Sequence, residues 1–198
     1  EELLNKNKTL SIPTLKPERS KSIEIGIQNQ SNIGLINLKV YQTKIEDTFS
    51  YIDPESNYDG YYINDGTTDI SGVELSLETS MLGWDLDTTI DYNKSIDKAT
   101  KKQKGRRPNR SISFGLSKSS GKWKRNINWT GKSHAWDKNS ETTKLGGYGL
   151  LNLRTSYDFT EDLSVYLNRN NALDKDYEVA RGYKTHGKTS TLGLTYNF

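Results

Sequence analysis

The sequence predicts an all-β fold, an antiparallel up-and-down transmembrane β-barrel or a segment of one. Apolar and polar residues alternate with a period of two along most of the 198 residues. The connections between the alternating stretches are short and long in turn. Only 32% of the residues are hydrophobic, and the mean hydropathy is −0.84. A period of two gives strands with one apolar and one polar face, and a hollow barrel needs apolar residues on its outer face alone.

The composition narrows the classes of protein to consider. The chain has 12 Tyr, 4 Trp and 4 Phe, whereas disordered chains are poor in aromatic residues. No stretch approaches the roughly 20 apolar residues of a transmembrane helix. The net charge is only +3 and the basic residues are dispersed, so we expect no nucleic-acid partner. There are no cysteines, which fits either a reducing or an envelope compartment.

The alternation predicts nine strands and two kinds of connection. The strands are expected at about residues 20–30, 34–50, 60–80, 84–97, 109–119, 122–136, 147–159, 162–170 and 187–198. Short turns are expected at 31–34, 81–84, 119–122 and 160–162, and long polar loops at 51–66, 98–109, 137–146 and 171–187. Outer-membrane barrels have short periplasmic turns and long external loops, so this sorting by length favours a barrel.

The polar faces of the predicted strands carry many carboxylates. Asp85, Asp87 and Asp91 share one face of one strand, and Glu74 and Glu78 share one face of another. Facing a dry core, each would cost several kcal/mol, but a water-filled lumen removes most of that cost. The alternative is an ordinary soluble sheet whose polar faces look outward.

The odd number of strands predicts how the chain divides. Bacterial single-chain barrels have even strand numbers, with both ends in the periplasm. With a periplasmic C-terminus, nine strands place residue 19 on the external side. We therefore expect residues 1–19 to be the tail of an external loop and residues 20–198 to be a C-terminal barrel segment. One missed strand would instead permit a complete ten-stranded barrel.

Three stretches resemble TonB-dependent outer-membrane receptors. They are "LKPERSKSIEIG" (15–26), "NDGTTDISGVELSLE" (64–78) and "NNALDKDYE" (170–178), and their order matches the end of the receptor barrel. Ala172 and Leu173 depart from the usual Leu-Phe pair of the family. The closing third of the chain most resembles the vitamin B12 (cobalamin) transporter branch.

The resemblance implies a 22-stranded barrel in the outer membrane of a Gram-negative bacterium, of which this chain supplies about nine strands. Barrels of that size have a plugged lumen. The implied function is import of a large scarce nutrient, a cobalamin or an iron-siderophore. The implied partners are outer-membrane lipid and lipopolysaccharide, the plug and N-terminal strands missing here, the TonB complex and the barrel assembly machinery.

The last strand also has an implied role in assembly. Leu192, Leu194, Tyr196 and Phe198 alternate with polar residues and glycine up to the final residue. By the family resemblance, such a terminal strand is read by the assembly machinery.

Ligand contacts are expected in the external loops. The candidates are the aromatic residues and the histidine of the predicted loops and upper walls, Tyr58, Tyr61, Tyr62, Trp136, Tyr183 and His186. Aromatic rings there would stack on a large ligand or would equally form the interfacial girdle of a barrel. We assign Trp84, Trp123 and Trp129 to the lipid face or girdle. The basic run at 101–107 is a candidate contact for lipopolysaccharide phosphates, with a solvated loop as its equal alternative.

We predict no enzyme activity, no metal site and no cofactor. His134 and His186 are the only histidines, without an HExxH motif or a cysteine partner. The alternatives left open are a small self-contained barrel, either a pore or a protease using Asp174, Asp176 and His186, and a soluble all-β binding domain. The carboxylates at 53–60 and 174–176 match no calcium loop of known spacing.

Overall fold

The structure is a computed structural model that describes residues 15–52 and 60–198. The described residues form strands and no helix. The strands are β1 (Arg19–Ser31), β2 (Gly34–Glu46), β3 (Phe49–Ile52), β4 (Tyr61–Asn64), β5 (Thr67–Met81), β6 (Trp84–Asp97), β7 (Arg110–Ser120), β8 (Trp123–Lys132), β9 (Ala135–Trp136), β10 (Lys144–Leu145), β11 (Tyr148–Asp158), β12 (Leu163–Asn170), β13 (Glu178–Ala180), β14 (Tyr183–Lys184) and β15 (Thr189–Tyr196). Within the described ranges, no helix is long and apolar enough to cross a membrane.

One large sheet forms the body of the molecule. Its nine strands run in the order β1-β2-β5-β6-β7-β8-β11-β12-β15, each antiparallel to its neighbours. The predicted up-and-down meander of nine strands is confirmed. In the described part of the chain, β1 and β15 each pair on one side only, so the sheet is a barrel segment with two open edges.

The predicted short turns all lie at one end of the sheet, here called the turn end. Between β5 and β6 the turn is two residues long, and both Leu82 and Gly83 have positive φ, 55° and 73°. Such turns match the right-handed twist of a hairpin. At the β1–β2 turn, Gly34 has φ 134°, and a Cβ there would lie 2.2 Å from the Glu78 carbonyl oxygen. Glycine is therefore required at this position.

The strand register sorts the side chains onto two faces. On the apolar face, Leu38 lies opposite Leu75, Leu75 opposite Ile90, and Ile90 opposite Ile112. These four residues are the apolar members of the alternating patterns that the sequence shows in each strand. On the other face, here called the polar wall, the same strands place Lys39 opposite Glu74. In these central rows the two faces therefore differ in chemistry.

The apolar face is not covered by another layer. Ile25 on this face is 71% exposed and Leu192 is 74% exposed. Among the described residues, the buried hydrophobic ones are Ala135 and Leu145, in strands outside the large sheet. A soluble β-sandwich would bury this face against a second sheet, so the structure does not favour the soluble alternative.

Three predicted strands were wrong because each merged two strands. Strand 34–50 divides into β2 and the start of β3, strand 60–80 into β4 and β5, and strand 122–136 into β8 and β9. Asp47 has φ 58° and Gly66 has φ 105°, so the backbone leaves the extended conformation at both places. Thr48, which is 8% exposed, exchanges backbone hydrogen bonds with Asp65 and Gly66 and fixes this junction.

The long connections contain short hairpins at the opposite end of the sheet, here called the loop end. β3 pairs with β4, β9 with β10, and β13 with β14, and β10 contacts β13. The residues before β1 are held there too, because Asn64 accepts the backbone N–H of Lys16 at 2.7 Å and donates to its carbonyl at 2.8 Å. Most of the predicted external tail, residues 1–14, lies outside the described residues, so that boundary stays a prediction.

Candidate functional site: the loop end and the polar wall

Two of the long connections dock against each other at the loop end. The N–H of Gly105 donates to Asn139 Oδ1 at 2.7 Å, and the N–H of Gln103 donates to Glu141 Oε1 at 2.6 Å. Both bonds use a side chain of the β9–β10 hairpin to hold the backbone of the β6–β7 connection. The two connections therefore form one surface.

Asp137 joins a third connection to this surface. Its side chain is 5% exposed, and its Oδ1 accepts the backbone N–H of Arg181 at 3.0 Å and Nε of Arg106 at 3.0 Å. The hydrogen bond from Arg181 and the guanidinium of Arg106 lower the pKa of the Asp137 carboxyl. The carboxylate is therefore charged at neutral pH, and it links the connections before β7, before β10 and before β14.

Asn171 organises the turn that follows β12. It has φ 46° and is 5% exposed. Its backbone N–H donates to Asn152 Oδ1 at 2.9 Å, while its side chain exchanges two 2.9 Å hydrogen bonds with the backbone of Lys175. Asparagine tolerates the left-handed region and caps its own backbone. This explains physically why the "NNALDKDYE" stretch carries an asparagine at this point.

Asp174 stabilises the loop before β15 by binding Lys188. Its carboxylate accepts the backbone N–H of Lys188 and pairs with Nζ of the same residue, both at 2.9 Å. These interactions lower the pKa of Asp174. His186 is exposed. In the described ranges, no three His, Asp or Glu residues are placed to hold a metal ion, and the carboxylates at 53–59 lie outside those ranges.

The basic run at 101–107 is partly neutralised within the fold. Lys104 pairs with Asp97 at 2.9 Å, and both side chains are 15% exposed. Arg106 pairs with Asp137 as described above. In the portion that the structure describes, Lys101, Lys102 and Arg107 are exposed and form no ion pair, so the loop presents these three charges outward.

The polar wall is acidic along β5 and β6. Glu74 lies opposite Asp91 and Glu78 lies opposite Asp87, although like charges in opposite positions destabilise a sheet. Lys39 reduces the repulsion, because its Nζ lies 3.8 Å from Glu74 and 3.6 Å from Glu24.

The polar wall becomes basic along β8 and β11. Lys124 and Arg154 lie on this face, and Lys124 pairs with Asp158 at 2.8 Å. The guanidinium of Arg154 lies 4.3 Å from the ring centroid of Tyr166, and that ring lies directly over Gly193 on β15. The wall therefore offers opposite charges on its two halves, which the sequence did not predict because register was needed to align the strands.

The predicted ligand contacts fall in two groups, both at the loop end. Tyr61 and Tyr62 are on β4, where the Tyr62 ring packs edge-on against Tyr51 at 5.3 Å. Trp136 is on β9, Tyr183 is on β14, and His186 follows β14. Trp136 and Tyr183 lie beside Asp137 and Arg181, which build the docked surface. Tyr58 lies outside the described residues. Whether any of these residues touches a ligand stays a prediction.

A small pocket at the loop end was not predicted from the sequence. It has a volume of about 110 Å³, and its lining includes Arg106, Lys132, Leu145, Tyr148 and Glu178. Tyr148 stacks on Tyr177 with ring centroids 4.4 Å apart. These residues come from four separate parts of the chain, so no local motif could have identified them.

The closing strand has the faces expected of it. Leu192, Leu194 and Tyr196 lie on the apolar face opposite residues of β12, and Tyr196 packs on Phe198 at 5.1 Å. Trp129 also lies on that face, opposite Phe114 and Leu151. Trp84 and Trp123 begin their strands beside short turns. Their positions suit an interfacial girdle, while a role of the closing strand in assembly remains a prediction.

Comparison with known proteins identifies related sequences along nearly the whole chain. The family described as TonB dependent receptor-like, beta-barrel, matches residues 2–172. A vitamin B12 transporter, BtuB of Photobacterium profundum, is 30% identical over 191 residues. The match covers 94% of this chain and 31% of the transporter, so this chain spans about a third of the length of that relative.

Solved structures share the fold. The copper transporter OprC superposes with a TM-score of 0.76 at 20% identity, over 93% of this chain and 32% of that one. The FrpB iron transporter from Neisseria meningitidis (F3-3 variant) gives 0.70 at 17% identity, over 93% and 32%. The pyoverdine outer membrane receptor FpvA from Pseudomonas aeruginosa PAO1, bound to pyoverdine, gives 0.70 at 18% identity, over 93% and 30%.

Proposed function

Since this chain belongs to the TonB-dependent receptor β-barrel family, we propose that it is the C-terminal part of the barrel wall of an outer-membrane importer. Members of the family are outer-membrane receptors and transporters rather than enzymes. The observation that carries the proposal is the division of one sheet into an uncovered apolar face and a charged polar wall. In a membrane, the apolar face contacts lipid and the polar wall lines the lumen.

The proposal fixes the orientation of the sheet. Short turns of outer-membrane barrels are periplasmic and long loops are external, so the turn end is periplasmic and the loop end faces the outside. The two open edges, β1 and β15, pair with the N-terminal strands of the complete barrel, because lipid does not tolerate unpaired backbone groups. By the family resemblance, the last strand with Leu192, Leu194, Tyr196 and Phe198 also directs assembly.

We propose cobalamin or an iron-siderophore as the nutrient. The similarity to a vitamin B12 transporter supports a cobalamin. The docked surface at the loop end supports a large ligand, because Asp137 holds three connections together and Trp136 and Tyr183 lie on them. A preorganised surface lowers the entropic cost of binding. Lys101 and Arg107 are the proposed contacts to lipopolysaccharide phosphates.

A plug domain is the proposed occupant of the lumen. The wall is acidic along β5 and β6 and basic along β8 and β11, so the plug surfaces facing these halves should be basic and acidic respectively. The TonB complex would act on that plug and drive release of the nutrient.

The test uses the full-length protein that contains this chain. Cells carrying it as their only importer should take up cyanocobalamin, and deletion of TonB should abolish uptake while surface binding persists. Uptake of a ferric catecholate in place of cyanocobalamin would change the assigned nutrient. The proposal fails if neither compound binds to cells in which the protein is correctly assembled.

The contact residues are tested by binding to the purified full-length protein. Trp136→Ala and Tyr183→Ala should each weaken nutrient binding by about two- to tenfold, since one lost aromatic contact is worth about 0.5–1.5 kcal/mol. Phe159→Ala is the matched control, because Phe159 is a half-exposed aromatic residue at the turn end. Equal losses in all three variants would show a general effect on folding and not ligand contact.

A further inference from the structure

Two cations lie opposite each other on the apolar face near the turn end. Lys118 on β7 is the direct cross-strand partner of Arg125 on β8, in the same parity as Leu116 and Ile127. The Cβ atoms of such partners are about 5 Å apart, and like charges in these positions repel. In the described ranges, neither side chain has a carboxylate within ion-pair distance. The pair therefore lacks a counter-charge from the described protein.

Contacts place both charges close to the periplasmic turns. Nζ of Lys118 donates to the carbonyl of Leu82, in the β5–β6 turn, at 3.3 Å and lies 5.5 Å from the ring centroid of Trp84. The guanidinium of Arg125 lies 5.5 Å from the ring centroid of Trp123. Long basic side chains of membrane proteins carry their charge toward the interface, and tryptophans mark that interface. Both charges therefore lie at the depth of lipid headgroups.

An apolar groove begins beside Arg125. Its volume is about 520 Å³, and its lining includes Trp123, Tyr157, Phe159, Val165, Leu167 and Leu192. The rings of Trp123 and Tyr157 meet edge-on at 4.9 Å and those of Tyr157 and Phe159 at 4.8 Å, so the groove has an aromatic wall. Thr155, the cross-strand partner of Arg125, also lines the groove. A cationic pair thus adjoins an open apolar groove with the chemistry to contact a hydrocarbon chain.

We propose that this region binds an anionic phospholipid of the periplasmic leaflet, with its phosphate between Lys118 and Arg125 and one acyl chain in the groove. The orientation comes from the proposed function. A phosphate accepts strong charge-assisted hydrogen bonds from arginine and lysine, and its negative charge offsets the repulsion between them. Lipopolysaccharide occupies the external leaflet, so a phospholipid is the lipid at this depth.

The test is a lipid titration of the full-length protein in detergent, followed by native mass spectrometry. The probes are dioleoylphosphatidylglycerol and dioleoylphosphatidylcholine, which carry the same acyl chains. Each basic residue near an anionic headgroup contributes about fivefold in affinity, so the phosphatidylglycerol preference should be about thirtyfold for two. Lys118→Gln with Arg125→Gln should remove the preference.

A matched variant separates this site from a general charge effect. Lys175→Gln with Lys184→Gln removes two exposed positive charges at the loop end and should leave the preference unchanged. Val165→Trp fills the groove and should weaken the binding of both lipids. Equal affinity of the wild type for the two lipids, or the same loss in both charge variants, would overturn the site. Effective competition by glycerol 1-phosphate would overturn the role of the groove.

Cyanocobalamin binding is measured on the same samples. The lipid-site variant should bind cyanocobalamin as the wild type does, because its changes lie at the turn end. Absence of cyanocobalamin binding in the wild type bears on the proposed nutrient alone, whereas the lipid preference tests the lipid site alone.

Discussion

The two faces of the large sheet are built from the same strands but suit different surroundings: the apolar face suits lipid, and the polar wall suits water. On the apolar face, Ile25, Val40 and Val73 lie side by side on three strands. On the polar wall, Glu24, Lys39 and Glu74 occupy neighbouring rows of those same strands and are linked by ion pairs. A soluble protein would need a second layer over the apolar face. The difference teaches that this sheet derives its stability from lipid on one side, and from ion pairs and a tyrosine ring packed over glycine on the other.

The largest effect is expected when a positive charge is placed on each face in turn, at neighbouring positions of β5 and therefore at nearly the same depth in the membrane. Leu77→Arg puts a guanidinium on the apolar face between Ile36 and Thr88. An arginine near the bilayer midplane of a barrel costs about 2–4 kcal/mol. We expect a loss of that size in the free energy of unfolding of the full-length protein in lipid vesicles.

Ser76→Arg is the matched control, one residue away on the polar wall. There the guanidinium has the carboxylates of Glu74 and Glu78 two residues away on the same face. The substitution removes the hydrogen bond between Ser76 and Asn37, so we expect a loss below about 1 kcal/mol in the free energy of unfolding. If both variants lose the same stability, the assignment of the two faces is wrong.

The faces could be predicted from the sequence because they depend on a period of two within each strand. The pattern placed β6 at residues 84–97, the range that the structure shows. The short turns were equally clear, since only a few residues separate the alternating stretches. The family resemblance supplied the expected size of the complete barrel, which the alternation alone does not contain and which stays a prediction.

The architecture of the loop end could not be predicted. The bond between Asp137 and the N–H of Arg181 joins residues 44 positions apart, and Asn64 binds Lys16 across 48 positions. Such contacts follow from the order in which strands pair and leave no local pattern. The β3–β4 hairpin was also missed, because Asp47 takes a positive φ where an uninterrupted strand was expected.

A smaller test concerns one tyrosine ring of the polar wall. The Tyr166 ring lies over Gly193, where a Cβ would come within 2.3 Å of its Cζ atom. Gly193→Ala must displace a ring that also contacts Arg154, and we expect a loss of about 1 kcal/mol in the free energy of unfolding. Gly146→Ala is the control, because a Cβ there has no neighbour within 4 Å in the described structure. A neutral Gly193→Ala would show that the ring moves freely and contributes little to the wall.

The smallest expected effects come from the charges of the polar wall. Lys39→Gln removes the cation between Glu24 and Glu74, and half-exposed pairs are worth about 0.2–1 kcal/mol. Glu78→Gln should act in the opposite direction, because it removes one of two like charges facing each other across β5 and β6. Both effects should shrink in high salt, which screens charges in water. Urea unfolding of the full-length protein at low and high salt measures them. If the two variants change the free energy of unfolding in opposite directions, and both changes shrink in high salt, the polar wall is in contact with water. Changes of several kcal/mol that do not depend on salt would show a dry interface and overturn the comparison between the two faces.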